Sequence, residues 1–154
     1  MNPGIIDGTI FTQQTILLAD DNEDDVIIMQ RAFQKQSVLN PLQVVNDGEQ
    51  AIHYLAGVGI YSDRRQYPLP VIILLDLSMP KKGGLEVLEW LRQQPSLTGI
   101  AVHILTASTR SADVARAFEL KANAYIVKPS KIEALTEMVR AWHAFSQFQA
   151  FPTR

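Results

Sequence analysis

Short apolar runs alternate along this chain with segments of helical periodicity, and that alternation leaves few folds open to it. Residues 15–19 (Thr-Ile-Leu-Leu-Ala) form an apolar run that ends on Asp20 and Asp21. A run this short and this uniformly apolar reads as a strand buried on both faces. Behind it, over residues 22–36, Val26, Ile28, Met29, Ala32 and Phe33 recur at helical spacing. Asn22 is placed to cap that helix, and Glu23, Asp24 and Asp25 suit its positive end. The same reading gives further strands at 42–45, 71–75, 100–105 and 124–127, with helices at 48–55, 85–94, 112–121 and 131–149. Breaks at Asn40-Pro41 and at the Pro80–Gly84 loop punctuate the series. Five strands alternating with five helices predict an α/β domain: a doubly wound, five-stranded parallel sheet, with right-handed crossovers placing helices on both faces. Residues 56–70, with Gly57, Gly59, Pro68, Pro70 and Asp63-Arg64-Arg65, are expected to form an irregular surface connection.

At 154 residues, 47% of them hydrophobic and 19% charged, the chain suits one packed domain. The expected division is a tail over 1–14, a domain over 15–149 with a long last helix, and a tail over 150–154. A net charge of −2 leaves no cationic excess for a nucleic-acid backbone or an anionic membrane, so no nucleic acid and no membrane is expected as a partner. The absence of cysteine excludes disulfides, thiolate metal sites and Cys nucleophiles, and is compatible with a cytoplasmic protein. The first 14 residues lack the pattern of a secretory signal, and no apolar run approaches the roughly 20 residues that span a bilayer.

The chemistry is written where the strands stop. Asp20 and Asp21 follow the first strand, Asp76 the third, Thr106 the fourth and Lys128 the fifth. All are carboxyl ends, and in a parallel sheet those ends share one rim, where ligands gather. Three carboxylates brought together there repel one another unless a hard cation sits between them. Mg²⁺ suits an all-oxygen donor set of one or two carboxylates plus phosphate oxygens. A carboxylate can also attack phosphorus, and the reaction needs the incoming oxygens neutralised. Lys128 and Mg²⁺ can supply that charge, and the Thr106 hydroxyl and the amides after Asp76 can donate hydrogen bonds. Taken singly, an Asp at a strand end is as readily a turn former or helix cap, Lys128 an ordinary surface lysine and Thr106 a strand residue. Their convergence on one rim favours chemistry.

These residues carry a family resemblance. Ile16-Leu17-Leu18-Ala19-Asp20-Asp21, Leu74-Leu75-Asp76-Leu77-Ser78-Met79-Pro80 with Gly84, Leu105-Thr106-Ala107 and Val127-Lys128-Pro129, in this order, resemble the response-regulator receiver family over roughly residues 15–145. The resemblance implies a sheet of strand order 2-1-3-4-5 and phosphorylation of Asp76 by the phosphohistidine of a sensor histidine kinase. It implies Mg²⁺ held by Asp21, Asp76 and the Ser78 backbone carbonyl with Asp20 supporting the metal shell, and Lys128 and Thr106 contacting the phosphoryl group. It further implies that Thr106 and Tyr125 act as a switch, and that the Lys128–Pro129 bond is cis. Ser78 and Ser108 are small where many receivers carry larger groups, which leaves the phosphoryl lifetime open. Residues 56–70, the Pro80–Gly84 loop and the extended last helix resemble the small receivers that serve phytochrome-type kinases. With the chain ending soon after the last helix, output is expected to pass through a downstream protein.

Two rival functions fit these residues less well. A phosphatase with an Asp-x-Asp nucleophile motif would need a second acid where Asp76-Leu77-Ser78 has serine. An unphosphorylated adaptor would not need the acids, the threonine and the lysine, all of which are present. Elsewhere, Leu135, Met138, Val139, Trp142, Phe145 and Phe148 make an apolar stripe, and Trp142 with Phe145, Phe148 and Phe151 is expected to form a homodimer contact. His53, His103 and His143 lack ligand spacing and read as structural. Arg64 and Arg65 read as a solvated face with a subordinate alternative as a kinase contact.

Overall fold

The computed structural model describes residues 9–151. Its five strands are β1 (Ile16–Ala19), β2 (Leu42–Val45), β3 (Ile72–Leu75), β4 (Ala101–Thr106) and β5 (Ala124–Val127). They form one parallel sheet of order β2-β1-β3-β4-β5. The main helices are α1 (Glu23–Lys35), α2 (Gly48–Ala56), α3 (Gly84–Arg92), α4 (Ser111–Glu119) and α5 (Ile132–Ser146). The fold class is that expected from the strand and helix alternation, and the strand order is the one the resemblance implies.

Strand parity divides the core. Leu17, Ala19, Ile73 and Leu75 face α2, α3 and α4, meeting Tyr54, Leu55, Val87, Leu88, Leu91 and Ala117. Ile16, Leu18, Ile72 and Leu74 face α1 and α5, meeting Met29, Phe33, Leu135, Val139 and Trp142. Because successive strand side chains point to opposite faces, a strand covered on both sides must be apolar throughout, which is why these strands lack polar alternation. Helix ends follow local chemistry. Asn22 accepts the Asp25 N–H at the start of α1 and Asp47 accepts the Gln50 N–H at the start of α2. Gly57, at φ +70°, closes α2 in the left-handed region.

Several expectations change. The expected N-terminal tail, 1–14, lies outside the described residues over 1–8, but Thr9–Thr12 forms a helical turn that buries Phe11 against the α1–α5 face. The Asn40 side-chain amide holds this turn by donating to the Phe11 and Gln14 carbonyls. The last helix stops at Ser146 rather than 149; of the expected C-terminal tail, residues 152–154 lie outside the described residues. Trp142, expected at an exposed face, is buried: its Nε1–H donates to His103 Nδ1 at 2.8 Å, so burial against a histidine acceptor satisfies both. Phe151 stacks on Phe11 at 5.7 Å, leaving only Phe145 and Phe148 of that series exposed.

The long connection is built rather than irregular. After a 3₁₀ turn at Gly59–Ser62, Arg64 folds back onto the end of α2. It donates to the Tyr54, Leu55 and Tyr67 carbonyls at 2.7, 2.8 and 3.3 Å, so it is a helix cap and not a solvated charge. The rings of Tyr54, Tyr61 and Tyr67 pack mutually, with centroids 5.0–5.9 Å apart. The Lys128–Pro129 bond, expected cis, is trans like the other described peptide bonds, the isomer an X-Pro bond favours intrinsically.

Candidate functional site

The sheet ladder fixes the rim. The Asp20 N–H donates to the Val45 carbonyl, the Asp76 N–H to that of Ala19 and the Lys128 N–H to that of Thr106, at 2.8–3.1 Å. Asp20, Asp76 and Lys128 are therefore each the first position past a strand, held by a bond to the neighbouring strand, with Thr106 the last residue of β4 and Asp21 one position beyond Asp20. Side chains that are 108 residues apart in sequence consequently meet: Lys128 Nζ lies 2.7 Å from Asp20 Oδ2 and 3.0 Å from Asp76 Oδ2. A third carboxylate, Asp25 at the start of α1, accepts from the same ammonium at 2.9 Å.

Asp20, Asp21 and Asp76 place one carboxylate oxygen each within 4.8 Å of one another. Asp20 and Asp76 are buried and Asp21 is open to solvent. A cluster of hard oxygen donors with one open side fits a divalent cation that keeps part of its water shell. Burial raises the Asp20 carboxyl above its ordinary value, against the hydrogen bonds from Lys128 and from the Asn22 N–H that lower it; the charge of Asp76 adds to the rise. Burial alone would lower the Lys128 ammonium, but its bonds to Asp20, Asp25 and Asp76 outweigh that and hold it well above the usual lysine range.

The loop after β3 is shaped by close approach. A Cβ on Gly84 would lie 2.2 Å from the Asp76 carbonyl oxygen, so only glycine lets α3 begin against the back of Asp76. The Ser78 N–H donates to Asp76 Oδ1 at 3.1 Å, orienting the carboxylate from the side opposite Lys128.

Thr106 and Tyr125 stand on an adjoining branch. Thr106 is buried at the end of β4, and its Oγ1 accepts the Ser108 N–H at a long 3.4 Å. The Tyr125 hydroxyl donates to the Ser108 carbonyl at 2.9 Å, and Ser108 Oγ donates to Asp113 Oδ2 on α4 at 2.6 Å. Ser108 thus joins β4, β5 and α4. Sequence reasoning missed that joint and the contact of Asp25 with Lys128. For Asp25 the available signal was its place three residues after the cap Asn22, which turns it toward the rim.

An acidic cluster of this kind, with a lysine reaching across from β5 and a threonine on β4, defines a receiver. The sequence model for the response regulator receiver domain matches residues 16–140, and the chain belongs to that family of two-component signalling proteins. Its relatives include response regulator Rcp1 of Synechocystis sp., 35% identical over 132 residues that cover 86% of this chain and 88% of that protein. Among solved structures, the phosphorylated cyanobacterial phytochrome response regulator RcpA aligns with a TM-score of 0.85 at 32% identity, covering 92% of this chain and 99% of that one. The Mn²⁺-bound form of Rcp1 aligns with a TM-score of 0.82 at 33% identity, covering 91% and 99%.

Proposed function

We propose that this protein accepts a phosphoryl group on Asp76 from the phosphohistidine of a phytochrome-type sensor histidine kinase, with Mg²⁺ as the ion, and passes the signal on by protein–protein contact in the cytoplasm. The observation that carries the reading is the convergence of Asp20, Asp21, Asp76 and Lys128 at one rim, with the ammonium 3.0 Å from the acceptor. Likeness to the phosphorylated RcpA and the Mn²⁺-bound Rcp1 supports it.

In this reading a carboxylate oxygen of Asp76 forms a bond to phosphorus as the bond from phosphorus to the kinase imidazole breaks, the electron pair leaving with the nitrogen. Asp20, Asp21, Asp76 and the Ser78 carbonyl would hold Mg²⁺, which when bound neutralises charge on the phosphoryl oxygens. Lys128 moves from the Asp76 carboxylate to a phosphoryl oxygen, keeping its charge paired. The Thr106 hydroxyl turns to donate to another phosphoryl oxygen, which requires it to give up the weak contact from the Ser108 N–H. That shift disturbs the loop on which the Tyr125 hydroxyl rests, so the change reaches β5 and α4.

The test is mass and acid-labile phosphate after incubation with acetyl phosphate. One phosphoryl group should be gained with Mg²⁺ and not without it, and Asp76→Asn should gain none. Equal labelling of the variant would assign the chemistry to another acceptor. The exposed rings of Phe145 and Phe148 further support a homodimer. Replacing both by serine should lower the sedimenting mass to that of a monomer; an unchanged mass in the variant would remove this interface.

A further inference from the structure

We infer that Asp25 is a positioning residue for Lys128: it holds the ammonium at the rim when Asp20 and Asp76 turn to a divalent cation. The inference rests on the reading of Asp76 as phosphoacceptor.

Lys128 shares its three protons among Asp20, Asp25 and Asp76. Two of these partners also belong to the carboxylate cluster fit for a cation; Asp25 does not. Once Asp20 and Asp76 share their negative charge with a cation, their pull on the ammonium falls and the cation repels it. Among the described residues, Asp25 is the remaining carboxylate bonded to the ammonium, and it lies outside the cluster fit for the cation.

Its position is fixed by a closed ring of hydrogen bonds. The Asn22 N–H donates to Asp20 Oδ1, and the Asp25 N–H donates to Asn22 Oδ1. Lys128 Nζ closes the ring by donating to Asp25 Oδ2 and Asp20 Oδ2. The cap of α1 therefore sets where Asp25 stands relative to Asp20, and Asp25 sets where the ammonium stands relative to Asp76. Asp25 keeps partial solvent access, with its side chain 35% exposed, so it can follow the lysine through the small movement from carboxylate to phosphoryl oxygen. Asp25 touches neither the acceptor nor the incoming group; it acts through Lys128.

Three readouts test this. With Mg²⁺ bound, the Lys128 ammonium protons should remain visible by NMR in the ¹⁵N-lysine-labelled wild type and be lost to exchange in Asp25→Asn. The Mg²⁺ dissociation constant by calorimetry should change less than about threefold, because Asp25 is not a ligand. The rate of labelling by acetyl phosphate at saturating Mg²⁺ should fall about tenfold in Asp25→Asn, with Asp25→Glu recovering most of it. The double variant Asp25→Asn with Lys128→Met should be no slower than Lys128→Met alone, since one residue works through the other.

Asp25→Asn labelling within about twofold of wild type, or a loss that multiplies that of Lys128→Met, would overturn the inference. So would a Mg²⁺ affinity weakened more than about tenfold, which would make Asp25 a ligand. Failure of the wild type to label would instead defeat the phosphoacceptor reading, and the NMR readout would still decide whether Asp25 holds the lysine.

Discussion

Lys128 and Arg64 are both cations withdrawn into the fold, and each donates to three acceptors. Lys128 meets three carboxylates, from β1, α1 and β3. Arg64 meets three backbone carbonyls, two of them at the end of α2. The difference lies in what can displace them. A carboxylate's partner can be exchanged when another charge arrives, because the pair is worth about 4 kcal/mol at 4 Å and near-surface screening, comparable with what an incoming ion or phosphoryl group brings. The carbonyls at a helix end are fixed in number and carry no charge that an arriving ion would compete for, and a planar guanidinium matches them with a rigid fork. The rim is therefore a place where partners change hands, and the long connection is a clamp. The buried pair of Trp142 and His103 resembles the clamp: a neutral donor on a neutral acceptor, with no charge to trade.

The largest expected effect probes that neutral pair. Burial lowers His103 from the usual 6.5 to about 4. Between those values the unfolded chain binds the proton and the folded chain does not, so stability is full above pH 6.5 and falls as pH drops toward 4. The loss is about 3 kcal/mol over that window. Urea unfolding of wild type and His103→Gln across pH 4–7 isolates it, because the rim carboxylates titrate alike in both. Equal slopes would mean that His103 takes up its proton in the folded state without penalty, and the pair would then not be a neutral one.

Lys128→Met comes next and addresses the rim. Loss of the ammonium should slow labelling of Asp76 about a hundredfold, near 2.7 kcal/mol of transition-state stabilisation. It also leaves carboxylates facing one another, so added Mg²⁺ should raise the melting temperature of Lys128→Met more than that of wild type. If Mg²⁺ stabilises the two equally, the lysine and the cation do not share partners at the rim.

Much of this was readable in the sequence, for a physical reason. Strands covered on both faces must be apolar without interruption, so Ile72–Leu75 announces itself, and the first polar residue beyond, Asp76, marks the rim. Asp20 is found by the same rule, whereas Thr106 ends a β4 that already carries His103, and Lys128 follows β5, a half-buried edge strand, so these two are picked out by their place at strand ends. The rule is silent about polar groups that join one element to another through side chains. Asp25 reads as one of three acids suited to a helix N-terminus, and only the turn of α1 singles it out for Lys128. Arg64 reads as a surface charge beside Arg65, and Arg65 is indeed exposed; the fold of residues 57–67 separates their roles. Trp142 falls on an apolar stripe whose buried and exposed parts cannot be divided without knowing where Phe11 docks. Contacts between side chains distant in sequence carry no local periodicity, and periodicity is what sequence reading detects.

Arg64→Ala tests the clamp. It removes the donor that ties the Tyr54 and Leu55 carbonyls of α2 to the Tyr67 carbonyl of the connection, and leaves the Tyr54, Tyr61 and Tyr67 cluster without the arm that folds over α2, at an expected cost of about 2 kcal/mol. Arg64→Lys should restore less than half of it, because a point charge cannot hold forked acceptors as a guanidinium does. Neither substitution should alter the rate of Asp76 labelling per folded molecule, measured by acetyl phosphate after correcting for the folded fraction from urea unfolding. Gly57 gives an internal check: a Cβ there would lie 2.9 Å from Arg64 Nη2 on a backbone already at φ +70°. Gly57→Ala should therefore destabilise the wild type more than it destabilises Arg64→Ala, where the crowding side chain is gone and only the backbone penalty remains. If Arg64→Ala instead slows labelling as Lys128→Met does, the connection takes part in the chemistry, and a cation on carbonyls is no more a fixed clamp than a cation on carboxylates.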